Sequence, residues 1–198
     1  MTKAISTIFA AALLCLAVSA QEKSADKKKP GGAMPAGMQM PKPGPEMKDL
    51  RDLVGTWTTD ETYEVSPFMP TGGTGSGTTT TRLGPGGFSI LIDTRSKNAM
   101  GSFSGHGVIA WDADAKAYKF SWVDSMTPAL VMETGHKEGG SIVFTGAMMM
   151  QGKKYQTKDV ISDVTPGSYT LTSYSNDGTG EKKSMTMKFT KQEAPAKK

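Results

Sequence analysis

The chain is 198 residues long, 37% apolar and 21% charged, with a formal net charge of +4 and an isoelectric point near 9.0. The basic excess sits in the ends: residues 45–190 carry fourteen Lys and Arg against sixteen Asp and Glu, a formal −2. A nucleic-acid module would show its basic patch on the fold itself, so that class is excluded. A single cysteine excludes a disulfide framework.

Residues 1–20 read as an export leader. Lys3 supplies a positive n-region, residues 4–18 form a short apolar run, and Val18-Ser19-Ala20 is a small-residue cleavage site before Gln21. The run is shorter than the roughly 20 apolar residues a spanning helix needs. Cys15 follows Leu13-Leu14 instead of the small residue of a lipobox, so it reads as part of the apolar run. Cleavage after Ala20 leaves a cysteine-free protein that is periplasmic or extracellular and must be stabilised by a packed core. Residues 21–44 are rich in Lys, Pro, Gly and Met without helical or strand period, which predicts a disordered linker. Residues 192–198 read as a second disordered tail, leaving one domain over 45–191.

Within that domain, residues 46–54 put Met47, Leu50, Leu53 and Val54 on one stripe, a short amphipathic helix stopped by Gly55. The period then changes to two. Trp57, Thr59, Glu61, Tyr63 and Val65 alternate with polar neighbours. After a Pro- and Gly-punctuated loop come predicted strands at 75–83 and 88–94, then a turn over 96–101. The clearest hairpin pairs 102–111 with 117–124, where Tyr118, Phe120, Trp122 and Asp124 share a face. Strands at 130–136, 141–148, 153–163, 168–175 and 182–190 follow, with Thr165-Pro166-Gly167 and Asn176-Asp177-Gly178 as strong turn signals. Ten closely spaced strands with no helices between them predict an all-β fold: a single antiparallel up-and-down barrel with a short N-terminal helix. A two-sheet sandwich is the alternative. A barrel of eight to ten strands leaves room for one small ligand.

The chemistry is sparse. His106 and His136 are the only imidazoles. Strand parity puts His136 with Leu130, Met132 and Thr134 on what reads as the inner face, and His106 with Val108 and Ala110. Inside a barrel the two His would meet, with Asp124 orienting one of them; a metal or haem site would look like that. No metal-spacing motif supports it. Met34, Met38 and Met40 and the run Met148-Met149-Met150 are soft donors suited to Cu(I), but methionine also serves as adaptable core filler. No G-x-S-x-G is present. Gly105-x-Gly107-x-x-Ala110 mimics a dinucleotide fingerprint but lies within a strand with no helix after it. Asp112 and Asp114 sit in a hairpin turn, and Asp124 reads as the cap of the turn 125–128 or as a ligand-facing carboxylate.

The helix followed by Gly55-x-Trp57 is similar to the entrance of lipocalin-like barrels, where this Trp closes the floor. More specifically, the chain resembles a secreted bacterial family known as domain of unknown function 1579 (DUF1579). The motifs are Pro43-Gly44-Pro45-Glu46-x-Lys48-x-Leu50, Leu53-x-Gly55-x-Trp57, Gly105-x-Gly107, Trp111-Asp112 and Trp122-x-Asp124-Ser125, and the likeness spans residues 43–191. It implies a calycin-like barrel and export, not a reaction. The family often has His where this chain has Met47, so no metal or catalytic role is carried to that position.

Three functional readings follow. The first is a non-catalytic barrel binding a small, largely apolar ligand, with Trp57, Tyr63, His106, Phe120, Trp122, Asp124, Met132, His136 and Phe144 as candidate ligand-binding residues. The second is a soft-metal (copper) or haem carrier. The third is a structural or envelope-interaction protein with a filled barrel. No cofactor is assigned, no catalytic constellation is legible, and neither nucleic acid nor a membrane span is expected.

Overall fold

The computed structural model describes residues 41–66 and 69–193. The leader, all but the last four residues of the proposed linker, and the last five residues of the chain lie outside the described residues, as do the Met34, Met38 and Met40 donors.

A short helix α1 (Met47–Arg51) is followed by ten strands: β1 (Gly55–Tyr63), β2 (Gly73–Leu83), β3 (Ser89–Asn98), β4 (Gly101–Asp112), β5 (Ala117–Asp124), β6 (Val131–Glu138), β7 (Ser141–Met150), β8 (Lys153–Ser162), β9 (Ser168–Asn176) and β10 (Glu181–Lys191). Each strand pairs antiparallel with its neighbours in sequence, and β1 pairs with β10 to close the barrel. The sandwich alternative is thereby set aside. Closure leaves no free sheet edge, which is how a protein made almost wholly of strands avoids edge-to-edge association.

The loops sort the barrel into two ends. The β2–β3, β4–β5, β6–β7 and β8–β9 turns share one end with α1, which lays Met47 and Leu50 into the core. Tyr118 on β5 ties α1 down by donating to Glu46 O (3.1 Å) and Asp49 Oδ2 (3.2 Å). Lys137 on β6 reaches Asp49 Oδ1 at 2.8 Å. Met47 is buried and belongs to this core. The other end is the mouth.

Alternation builds a dry interior. Trp57, Ile90, Ile109, Tyr118, Phe144 and Phe189 all turn inward and are buried. One irregularity matters at the mouth. A β-bulge between Lys183 and Met185 inserts Ser184 as an extra residue in β10. It turns Lys183 outward, where it meets Glu64 at 3.1 Å, while Met185 stays inward. Strict alternation would have aimed the ammonium at the lumen.

Two features differ from the sequence reading. The predicted turn at 96–101 is paired down to Asn98 and Gly101, so only two residues remain in the turn. Val65 and Phe88, taken as strand positions, lie beyond the strands and are exposed at 75% and 40%.

Candidate functional site

The floor is closed by aromatics. Trp57 is 0% exposed, donates its indole N–H to Leu53 O at 3.0 Å, and meets Tyr169 edge-on at 4.8 Å between ring centroids. Tyr169 stacks on Phe189 at 4.0 Å. Burial pushes the Tyr169 hydroxyl well above its ordinary range, so it stays protonated. On the opposite wall a chain of rings climbs from floor to mouth: Trp111 to Tyr118 (5.0 Å), Tyr118 to Phe144 (6.5 Å), Phe144 to Phe120 (5.5 Å), Phe120 to Trp122 (6.2 Å) and Trp122 to Phe103 (6.4 Å).

Those rings lie flat against the wall because the strands beside them carry glycine. A Cβ on Gly105 would come within 2.2 Å of the Trp122 ring, and one on Gly107 within 2.8 Å. A Cβ on Gly135 would meet Phe144 at 2.4 Å. The Gly105-x-Gly107 pair is thus a seat for Trp122, not a phosphate cradle.

Above the floor the barrel encloses a cavity of about 310 Å³. Its walls are aromatic and aliphatic, and methionines crowd its upper part: Met69, Met100, Met126, Met148 and Met185. Methionine is flexible and polarizable, so such a mouth adapts to the shape that enters it.

Buried polar groups stand on opposite walls. On β1, Glu61 is 2% exposed and well supplied with donors: Tyr63 OH at 2.5 Å and Ser96 Oγ at 3.3 Å to Oε2, Thr59 Oγ1 at 3.4 Å to Oε1. Asn98 in turn donates to the Tyr63 oxygen at 3.4 Å. Burial and the hydrogen bond to Glu61 hold the Tyr63 phenol far above its ordinary range. On β6, Glu133 is 3% exposed and lines the cavity. Thr157 on β8 donates to its Oε1 at 2.5 Å, while Oε2 has no partner. Burial pushes the Glu133 carboxyl up to about 7; the charge of Asp159 adds to the push and the Thr157 hydrogen bond opposes it. Asp159, also on β8 and in the cavity wall, is itself pushed up by burial, against a hydrogen bond from Ser173.

The structure brings together Tyr63, Phe120, Trp122, Asp124 and Phe144 around the cavity, with Trp57 beneath it. Asp124 is fully engaged at the rim: Oδ2 accepts the Trp122 indole N–H at 3.0 Å, and Oδ1 accepts the Met126 and Thr127 amides at 2.8 and 2.7 Å. It is the turn cap that one of the two sequence readings assigned it.

Three candidates are not in the cavity. Met132 is 53% exposed on the outer face, His136 is exposed beside it in parity, and His106 holds Asp93 at 2.8 Å on the outside of the barrel. The sequence reading of β6 is therefore corrected by one residue: Val131, Glu133 and Gly135 face in. His106 stands opposite Val123, and His136 follows Gly135, which stands opposite Tyr118. Some six residues of β5, about 20 Å along the strand, separate the two imidazoles. Among the described residues no three His, Cys, Asp or Glu converge to hold a metal ion, and no helix is long and apolar enough to cross a membrane.

Sequence reasoning missed Glu133, Asp159 and Thr157. The signal existed in the turn Gly139-Gly140. It pairs Glu138 with Ser141 and hence Gly135 with Phe144. Directly opposed residues share a face, so an inward Phe144 requires an inward Gly135 and Glu133.

Comparison with known proteins bears on the same barrel. A family model described as "Protein of unknown function (DUF1579)" matches residues 42–191. The chain belongs to this family. No curated sequence matches it. Among solved structures, this DUF1579 chain is similar to the S-type phycobiliprotein lyase CPES from Guillardia theta. The TM-score is 0.52 at 12% identity, covering 74% of this chain and 92% of that one. It is also similar to Rv2717c from M. tuberculosis, with TM-score 0.53 at 10% identity, covering 77% of this chain and 100% of the other. At these identities the likeness concerns the fold alone.

Proposed function

We propose that this DUF1579 protein is an exported, non-catalytic barrel that binds one small, largely apolar molecule in its lumen. The observation that carries the reading is the cavity of about 310 Å³, floored by Trp57, Tyr169 and Phe189 and walled by Phe120, Trp122 and Phe144. Small-molecule sites are concave, mostly apolar and punctuated by a few polar groups, and run from about 300 Å³ upward. Export rests on the leader-like residues 1–20. The likeness to a phycobiliprotein lyase supports the barrel fold alone and carries no substrate over to this chain.

A filled barrel serving only structure is disfavoured by the cavity above the aromatic floor, and a His-based carrier by the outward imidazoles. The test is native mass spectrometry of protein purified from its own host, joined to displacement of an environment-sensitive apolar dye. Phe120→Ala and Trp122→Ala are expected to weaken dye binding about tenfold, as loss of an aromatic wall implies. Unchanged dye binding in both variants would overturn the reading.

A further inference from the structure

The lumen has a sign as well as a shape. Its described walls contain Glu133, Asp159 and Asp124 but no Lys, Arg or His. Asp124 is spent on Trp122 and the rim turn. That leaves Glu133, 97% removed from solvent by its 3% exposure, with Oε2 unpartnered, and Asp159 close enough to raise it. A buried carboxyl oxygen without a donor costs stability, and a ligand that brings a donor recovers it.

We propose that the ligand of this barrel is a small lipophilic amine, whose ammonium is received by Glu133 and Asp159 while its apolar body lies along Phe120, Phe144 and the methionine-rich mouth. The inference rests on the lumen being a ligand site. An ammonium supplies up to three N–H donors and a positive charge, which suits one orphaned oxygen and two carboxyls that repel each other. A fatty carboxylate brings no donor to the orphaned oxygen and would set a negative charge beside two carboxyls that burial already holds above their ordinary range. Binding converts Glu133 to its carboxylate, so its proton passes to the buffer.

The titratable groups on the inner face around Glu133 are Tyr118 and Asp124 from β5, Tyr155 and Asp159 from β8, none from β7, and Tyr63 with Glu61 on β1 across the barrel. Of these Tyr118 is pushed to about 12, by burial first and then by Asp49, so it takes no part near neutrality.

The experiment is calorimetry of the full chain with three probes of equal length: decylamine, decan-1-ol and decanoate, each below its aggregation limit. Decylamine is expected to bind at least tenfold more tightly than decanoate and more tightly than decan-1-ol. At pH 7, titration in buffers of different ionisation enthalpy should show proton release with the amine and none with the alcohol. Glu133→Gln should collapse the amine-to-alcohol preference to within about threefold, while Asp93→Asn on the outer face should leave it intact. Binding of decan-1-ol without amine preference or proton release overturns this inference and leaves the apolar site standing. Failure of all three probes overturns both.

Discussion

Glu61 and Glu133 make an instructive pair. Both are buried glutamates on facing walls of one barrel, at 2% and 3% exposure. Glu61 is met by Tyr63, Ser96 and Thr59, and of the two neighbours on β1 it is Tyr63, not Glu61, that lines the cavity. Glu133 has one donor, Thr157, and a second acid nearby. A buried carboxylate with its acceptor sites filled is a structural bond; one with a free oxygen and a like-charged neighbour is a site awaiting a partner.

Removing the acid from each wall should separate the two. Glu61→Ala leaves three hydroxyls without their acceptor, and a loss of about 4 kcal/mol in urea unfolding is expected. A loss below 1 kcal/mol would erase the distinction. Glu133→Gln is expected to do the opposite. The native fold holds the Glu133 proton more tightly than the unfolded chain, with the carboxyl raised from 4.5 to about 7. The associated stability is therefore fully present below about pH 4.5 and is lost as the pH rises through about 7. Asp159 is raised as well and acts with the same sign. The wild type should lose on the order of 3 kcal/mol from Glu133 between these limits, and Glu133→Gln should be the more stable protein at pH 8 and not at pH 4.5. A flat pH profile in the wild type would contradict the orphaned state of Glu133.

The smallest effect expected concerns the ring beside this wall. In Gly105→Ala the new methyl would lie 2.2 Å from Trp122, so the ring has to leave its seat. Overpacking of this kind costs about 2 kcal/mol. Red-shifted tryptophan emission and weaker binding of the apolar dye should accompany it. An unchanged spectrum would mean that Trp122 does not depend on that seat.

The same contrast shows what the sequence could and could not say. On β1, β5 and β7 the alternation is honest: Trp57, Tyr63, Phe120, Trp122 and Phe144 are large, turn inward and were read correctly. On β6 the hydrophobic signal is inverted. Met132 points to solvent, while Gly135 and Glu133 point in, Gly135 because Phe144 occupies its space. Hydropathy alone cannot identify an inner face made of a glycine and an acid; only the register set by a two-residue turn can. The polar wall of the cavity was hidden for that reason, since Thr157 and Asp159 acquire meaning only once Glu133 faces them. The inward reading of His136 followed from the same slip of one residue on β6, while His106 on β4 stands opposite the outward Val123, one residue off the inner face that Gly107 and Ile109 share.

The most direct measurement is a carbon-13 NMR titration of the side-chain carboxyls in the ligand-free wild type, with Glu133→Gln for assignment. One glutamate carboxyl titrating near pH 7, absent from the variant and shifted downward when decylamine is added, is the expected result. A Glu133 carboxyl that titrates below pH 5 with or without the amine would contradict the claim that this acid is buried, unpartnered and turned toward the lumen.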